Sequence, residues 1–190
     1  MYNYLINFID KNKIIYKYQF GFRKSHSTNH AIISLVNNAL DSGKVLVGIF
    51  LDLKKAFDTV DHRILLDKLY KYGIRGVALN WFKSYLTNRK QYVCINECSS
   101  EIKSITCGVP QGSILGPLLF ILYMNDLADV SDKLFTILFA DDTTILIEGN
   151  DLHSLINSLN YELEKLNIWL KSNKLSLNVS KNPLYGVPSV

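Results

Sequence analysis

The sequence predicts an α+β domain, and three observations carry that reading. First, Leu134 to Ile147 is two short apolar runs, β-branched and aromatic, around Asp141 and Asp142, the pattern of a strand, a turn and a second strand. Second, Val45 to Leu53 is almost continuously apolar, as a central buried strand is. Third, several runs elsewhere repeat their apolar residues at helical spacing.

Composition agrees. The 190 residues are 48% hydrophobic, 20% charged and 12% aromatic. Such a chain is long and apolar enough to bury a core and is not of the disordered class. The net charge of +4 is compatible with a nucleic-acid partner without demanding one. Cys94, Cys98 and Cys107 are an odd number without zinc spacing, and read as reduced core or edge residues of a cytoplasmic or nuclear protein. Met1 to Asp10 lacks the pattern of a secretory signal. Gly116 and Pro117 interrupt the longest apolar run, Ile114 to Met124, which is too short to span a bilayer, so no membrane partner is expected.

In chain order, residues 1–18 are aromatic and lysine-rich, a partial helix and an entry segment. Gln19 to Thr28 is a polar, basic loop ending in the N-cap candidates Ser27 and Thr28. Ala31, Ile32, Leu35, Val36, Ala39 and Leu40 share one face of the next helix, which stops near Gly43. The strand Val45–Leu53 carries Asp52 near its end. A charge there is costly unless it is paired, hydrogen-bonded or metal-bound. It either caps the following turn or serves a site.

Ala56–His62 leads into a helix with Ile64, Leu65, Leu66, Leu69 and Tyr72, and Gly73 is placed to end it. Val77–Leu86 is another amphipathic helix. Gln91–Asn96 and Glu101–Cys107 are expected to pair about the polar turn Glu97–Ser100. Gly108–Ser113 is a loop whose glycines permit close approach of a ligand. Ile114–Asp126 is a helix with Pro117 tolerated in its first turn. Asp151 caps a long helix with a stripe of Leu155, Leu159, Leu163, Leu166 and Leu170. A last strand, Leu175–Val179, precedes Lys181, and the tail from Asn182 has no clear period.

Two adjacent carboxylates at Asp141–Asp142 repel each other unless a cation sits on them, and a divalent metal suits their oxygens. A solvated turn is the other reading, since Asp is common in turns for its own hydrogen bonds. Asp52 changes the balance. A strand end lies beside a hairpin turn when both belong to one sheet, and three carboxylates there would hold two divalent ions. Such ions, about 3.5–4 Å apart, serve in-line phosphoryl transfer.

Five runs then point one way: QFGFR at Gln19–Arg23 with Ser27 and Thr28, FLDLKKAFDTVDH at Phe50–His62, GVPQGSILGPLLF at Gly108–Phe120, FADD at Phe139–Asp142, and NIWL with NKLSLN between Asn167 and Asn178. In this order they resemble the reverse transcriptase domain of non-LTR (LINE-type) retrotransposons, most of all the jockey-like elements of animals. The resemblance covers roughly residues 19–181 and implies a polymerase palm: an antiparallel sheet of three or four strands with helices on its other face. It implies partial fingers over 1–44, the palm over 45–181, a divergent tail over 182–190 and no thumb, hence a domain truncated at both ends.

The roles it implies are specific. Asp52, Asp141 and Asp142 would be the catalytic, metal-binding carboxylates, Asp142 the less direct ligand, with the Leu53 carbonyl as a further contact. The ions would be two Mg²⁺, for which Mn²⁺ can substitute. Phe57 would block a ribose 2′-hydroxyl; without the motif it reads as core packing. Gln111 and Gly112 would lie against the incoming nucleotide and template, Arg23 would reach the triphosphate, as a forked cation suits phosphate, and Lys181 would protonate pyrophosphate. The implied activity is RNA-directed DNA polymerase, with an RNA template, a DNA primer and dNTPs. The alternative is an inactive remnant with weak nucleic-acid binding. Phe57 and the FADD form of the turn argue against an RNA-templated RNA polymerase.

Overall fold

The computed structural model describes residues 1–23, 33, 44–178 and, as backbone, 184–187. The predicted Ala31–Leu40 helix (apart from Ile33), its caps Ser27 and Thr28, and Lys181 lie outside the described residues. Helix α1 (Tyr2–Lys11) is followed by strand β1 (Val45–Leu51), a 3-10 turn at Ala56–Asp58, α2 (His62–Lys71) and α3 (Gly76–Leu86). Four two-residue strands come next: β2 (Lys90–Gln91), β3 (Cys94–Ile95), β4 (Cys98–Ser99) and β5 (Lys103–Ser104). Then come α4 (Leu115–Met124), a 3-10 stretch at Asn125–Val130, β6 (Phe135–Phe139), β7 (Asp142–Gly149), α5 (Leu152–Ser172) and β8 (Leu184–Val187).

The main sheet is antiparallel with strand order β6-β7-β1-β8. This is the α+β arrangement expected, with β1 central. Its apolar run has a directional logic. Val47, Ile49 and Leu51 face the core and pair with Ile147, Ile145 and Thr143 of β7. The alternate positions, Gly48, Phe50 and then Asp52, fall on the opposite face, because strand side chains alternate.

The helices cover the core face. In α4 every residue except Pro117 is buried, and Leu119 to Met124 are fully so; a helix apolar all round belongs in the centre of a core. Leu65 and Leu69 of α2 and Phe82 and Leu86 of α3 pack in the same cluster. Each such side chain contributes roughly 1.5–3 kcal/mol by leaving water. Asp61 caps α2 by accepting from the N–H groups of Arg63 and Ile64. Gly73, at φ +94°, ends it with bonds from Gly73 N–H to Tyr70 and from Ile74 N–H to Leu69, the paired bonds of a Schellman motif. Asp151 caps α5 as predicted, and Leu155, Leu159, Leu166 and Leu170 are buried along it. Among the described residues no helix is long and apolar enough to cross a membrane.

Three expectations are corrected. The strand pair after α3 is broken into two short ladders, β2 with β5 and β3 with β4. Its turn is Asn96–Glu97, both at positive φ, as a two-residue hairpin loop favours, and not Glu97–Ser100. Cys94, Cys98 and Cys107 are exposed free thiols, the first two on the short ladder of β3 with β4, so of the core and edge readings it is the edge one that fits. Of the expected strand Leu175–Val179, the described residues 175–178 make a single bridge, Leu177 to Leu53. It is the tail, read as having no period, that supplies β8 against Leu46–Ile49 of β1.

Candidate active site

Asp52 lies immediately past β1, on the face of the sheet that the described helices leave open. It does not cap the next turn; that position is Lys55, at φ +49°. Its Oδ2 accepts from Asn178 Nδ2 at 2.8 Å, and its carbonyl accepts from Asn178 N–H at 2.8 Å. Two chain segments distant in sequence therefore fix one carboxylate.

The hairpin turn is one residue earlier than the sequence pattern suggests. Phe139 pairs with Asp142, so the loop is Ala140–Asp141 and Asp142 begins β7. Ala140 has φ +59°. A residue bearing a Cβ is strained there, and such strain persists only where the surroundings enforce it. The enforcing contacts come from residues 18–21. Phe20 N–H donates to Leu138 O at 2.7 Å, and Leu138 N–H donates to Tyr18 O at 3.0 Å. Gln19 Oε1 accepts from Gly21 N–H at 2.9 Å and Ala140 N–H at 3.4 Å. A Cβ on Gly21 would stand 2.1 Å from Ala140 N, so no other residue fits.

Asp52 and Asp141 line one cleft of about 390 Å³ together with Leu53, Lys54, Lys55, Ala56, Phe57, Gln111 and Asn178. Asp142 is exposed, and neither it, Gly112 nor Arg23 is part of the lining. Phe57 is half-buried. Its ring stacks on Phe120 with centroids 4.3 Å apart and meets Phe22 edge-on at 6.0 Å. Gln111 Nε2 donates to Asp58 Oδ1 at 2.7 Å. The loop carrying Gln111 is seated by Val109 N–H on Phe57 O (2.9 Å) and Gly108 N–H on Val60 O (2.8 Å). His62 Nε2 lies 2.8 Å from Gly108 O. Gly112 is exposed at φ +78°. Arg23 Nη1 donates to Gln19 O at 3.3 Å. A larger adjoining cleft, about 650 Å³, also reaches Gln111 and is lined by Arg89, Lys90 and Asp58.

Among the described residues no three His, Cys, Asp or Glu side chains converge on one point. That donor set still fits Mg²⁺, which is held by one or two carboxylates with water and substrate phosphates completing its shell. Asp52 and Asp141 supply hard oxygens in an open cleft, and Lys54 and Lys55 at its edge complement a polyphosphate.

Sequence reasoning assigned no role to Asn178, Gln19 or Asp58, the three residues whose side chains hold Asp52, the turn and Gln111. Each lies inside one of the quoted runs, which was the available signal; their partners are far away in sequence and carry no periodic trace.

The comparisons with known proteins bear on family and fold. Residues 1–186 match the family described as "Reverse transcriptase (RNA-dependent DNA polymerase)". The chain is 33% identical over 190 residues to the RNA-directed DNA polymerase from mobile element jockey of Drosophila melanogaster, covering 94% of this chain and 20% of that one. It is 32% identical to the probable polymerase from transposon BS of the same organism, covering 96% and 21%. It thus spans about a fifth of the length of these relatives. Telomerase from Candida albicans, solved with a fragment of telomeric RNA, superposes with a TM-score of 0.71 at 16% identity, over 96% of this chain and 33% of that one. Apo telomerase from Candida tropicalis, truncated from its C-terminal domain, gives 0.69 at 15% identity, over 97% and 40%. At that identity the likeness concerns fold, a polymerase palm.

Proposed function

The chain belongs to the reverse transcriptase (RNA-dependent DNA polymerase) family, and on that premise we propose that it adds dNTPs to a primer 3′-hydroxyl on an RNA template. The observation that carries the reading is the shared cleft: Asp52 and Asp141 open onto the same space as Phe57 and Gln111.

Asp52 and Asp141, with the Leu53 carbonyl and with Asp142 as an outer ligand, would hold Mg²⁺, two ions in the working site, or Mn²⁺ in their place. Bound there, the ions supply positive charge that activates the attacking hydroxyl and stabilises the leaving oxygen. Asn178 keeps the Asp52 carboxylate oriented. Phe57, backed by Phe120, is a rigid apolar wall that excludes a ribose 2′-hydroxyl. Gln111, aimed by Asp58, offers an amide to the incoming nucleotide or the template. Arg23 presents a forked cation to the triphosphate, and Lys181 gives its proton to the departing pyrophosphate.

The test is primer extension by the purified chain on an RNA template with a DNA primer, dNTPs and Mg²⁺. Extension abolished by Asp141→Ala with Asp142→Ala is the expected result. A folded chain that extends no primer would sink the reading and leave a remnant whose carboxylates outlasted its activity.

A further inference from the structure

Gln19 is fully buried, yet its Nε2 has no hydrogen-bond partner among the described residues. Which end of the amide is oxygen follows from the contacts: one atom faces two N–H donors, those of Gly21 and Ala140, and only the carbonyl accepts. A desolvated donor left unmade lowers stability. That loss is set against the two backbone N–H groups that the oxygen satisfies, so the amide is kept for the acceptor it aims at the turn and not for its donor.

What the glutamine does hold is the site. Its side-chain oxygen grips the amide of Ala140, the strained residue immediately before Asp141. Its main-chain oxygen accepts from Arg23. Its neighbours on both sides are bonded to Leu138, two residues before Ala140. Gly21 lies so close to the turn that its missing side chain is a condition of the contact. One buried residue thus joins the turn that bears a metal-binding carboxylate to the segment that bears the phosphate-binding arginine.

We propose that Gln19 is a positioning residue, setting Asp141 and Arg23 at a fixed separation so that metal and triphosphate are bound together. The inference rests on the polymerase reading above and adds to it a residue outside the carboxylate set. A residue that orients a ligand from behind typically governs metal affinity by about 10–100-fold. In Gln19→Met the volume and the apolar stem remain while the acceptor disappears. In Gln19→Glu a carbonyl oxygen remains at the same reach, burial holding the carboxyl in its protonated form.

The experiment measures Mn²⁺ binding to the chain by electron paramagnetic resonance, beside thermal unfolding and the KM for dNTP. Gln19→Met is expected to weaken Mn²⁺ binding about tenfold and to raise the dNTP KM with it, while Gln19→Glu restores both to within about threefold. A merely structural role would lower the melting temperature and the active fraction but leave the Mn²⁺ affinity and KM of the folded molecules unchanged. That result overturns the inference. Should Gln19→Met not fold, Gln19→Asn, which keeps the amide but draws its oxygen back from the turn, gives the same comparison. Asp141→Ala with Asp142→Ala separates the two levels. If the wild-type chain binds no Mn²⁺ that these substitutions remove, the polymerase site itself is refuted. If they remove it and Gln19→Met does not weaken it, only the role of Gln19 is refuted.

Discussion

Asn178 holds Asp52 twice, through its side-chain amide to Oδ2 and through its backbone N–H to the carbonyl, both at 2.8 Å. The carboxylate at the end of the central strand is therefore set by a residue 126 positions later. Asn178→Leu should leave the backbone bond and remove the charge-assisted one. Hydrogen bonds to charged groups are worth about 1.5–3 kcal/mol, and the half-exposed setting argues for the lower end. The melting temperature should fall by a few degrees, and the Mg²⁺ concentration needed for primer extension should rise about tenfold. A metal requirement equal to wild type would show that Asp52 needs no orienting partner.

Phe57 stands between Phe120 and Phe22 with one side on the cleft. Phe57→Val should keep an apolar wall but shorten it, admitting ribonucleotides. The ratio of kcat/KM for dNTP over the matching ribonucleotide is expected to fall by about one to two orders of magnitude, since a removed steric block is worth about 1–3 kcal/mol of discrimination. Because Phe57 also packs on Phe120, stability should drop by about 1–3 kcal/mol. An unchanged ratio alongside that stability loss would mean that Phe57 is core alone.

Asp58 is exposed and its carboxylate accepts from Gln111 at 2.7 Å. Asp58→Ala should free the Gln111 side chain while changing stability by no more than about 0.5 kcal/mol. The expected signature is a several-fold higher KM for dNTP with kcat little changed, the pattern of lost uniform binding. Steady-state kinetics on primer-template decide it; an unaltered KM would detach Gln111 from nucleotide binding.

Asp61 predicts an acid limit to stability. Burial pushes its carboxyl up, but the Lys174 ammonium and the N–H groups of Ile64 and Arg63 outweigh that, and the group is held below the ordinary aspartate range. A carboxyl whose folded value is depressed contributes stability that is fully present above the unfolded value, about pH 4, and is lost as pH falls through the folded value. Asp61→Asn keeps an N-cap acceptor but not the charge, so it should narrow the gap to wild type as pH falls below about 4. Asp61→Ala also loses the cap, at about 1 kcal/mol. Melting temperatures between neutral pH and pH 3 measure both; parallel curves for wild type and Asp61→Asn would refute the assignment.

Most of the fold was legible in the chain. β1, the hairpin strands, the Gly73 and Asp151 signals around the helices and the leucine stripe of α5 are local features, written as period, cap and turn chemistry within a few residues. Even the open face of Asp52 follows from counting alternate residues along β1 once its buried set is known. The order of five motif runs identified the family, because such an order recurs only where a shared fold holds the runs together. What stayed hidden depended on contacts between segments far apart. The turn shifted to Ala140–Asp141 because Gln19 and Gly21 hold a positive φ that alanine does not favour by itself. The unpatterned tail became a strand because β1 had an open edge to pair with. Asp52 and Asp141 came to share a cleft that Asp142 does not line, through the register of β1 on β7 and the bonds from Asn178. Periodicity and capping are properties of neighbouring residues, so sequence records them; register, close approach and a shared cleft are properties of packed elements, and arise only when the chain has folded.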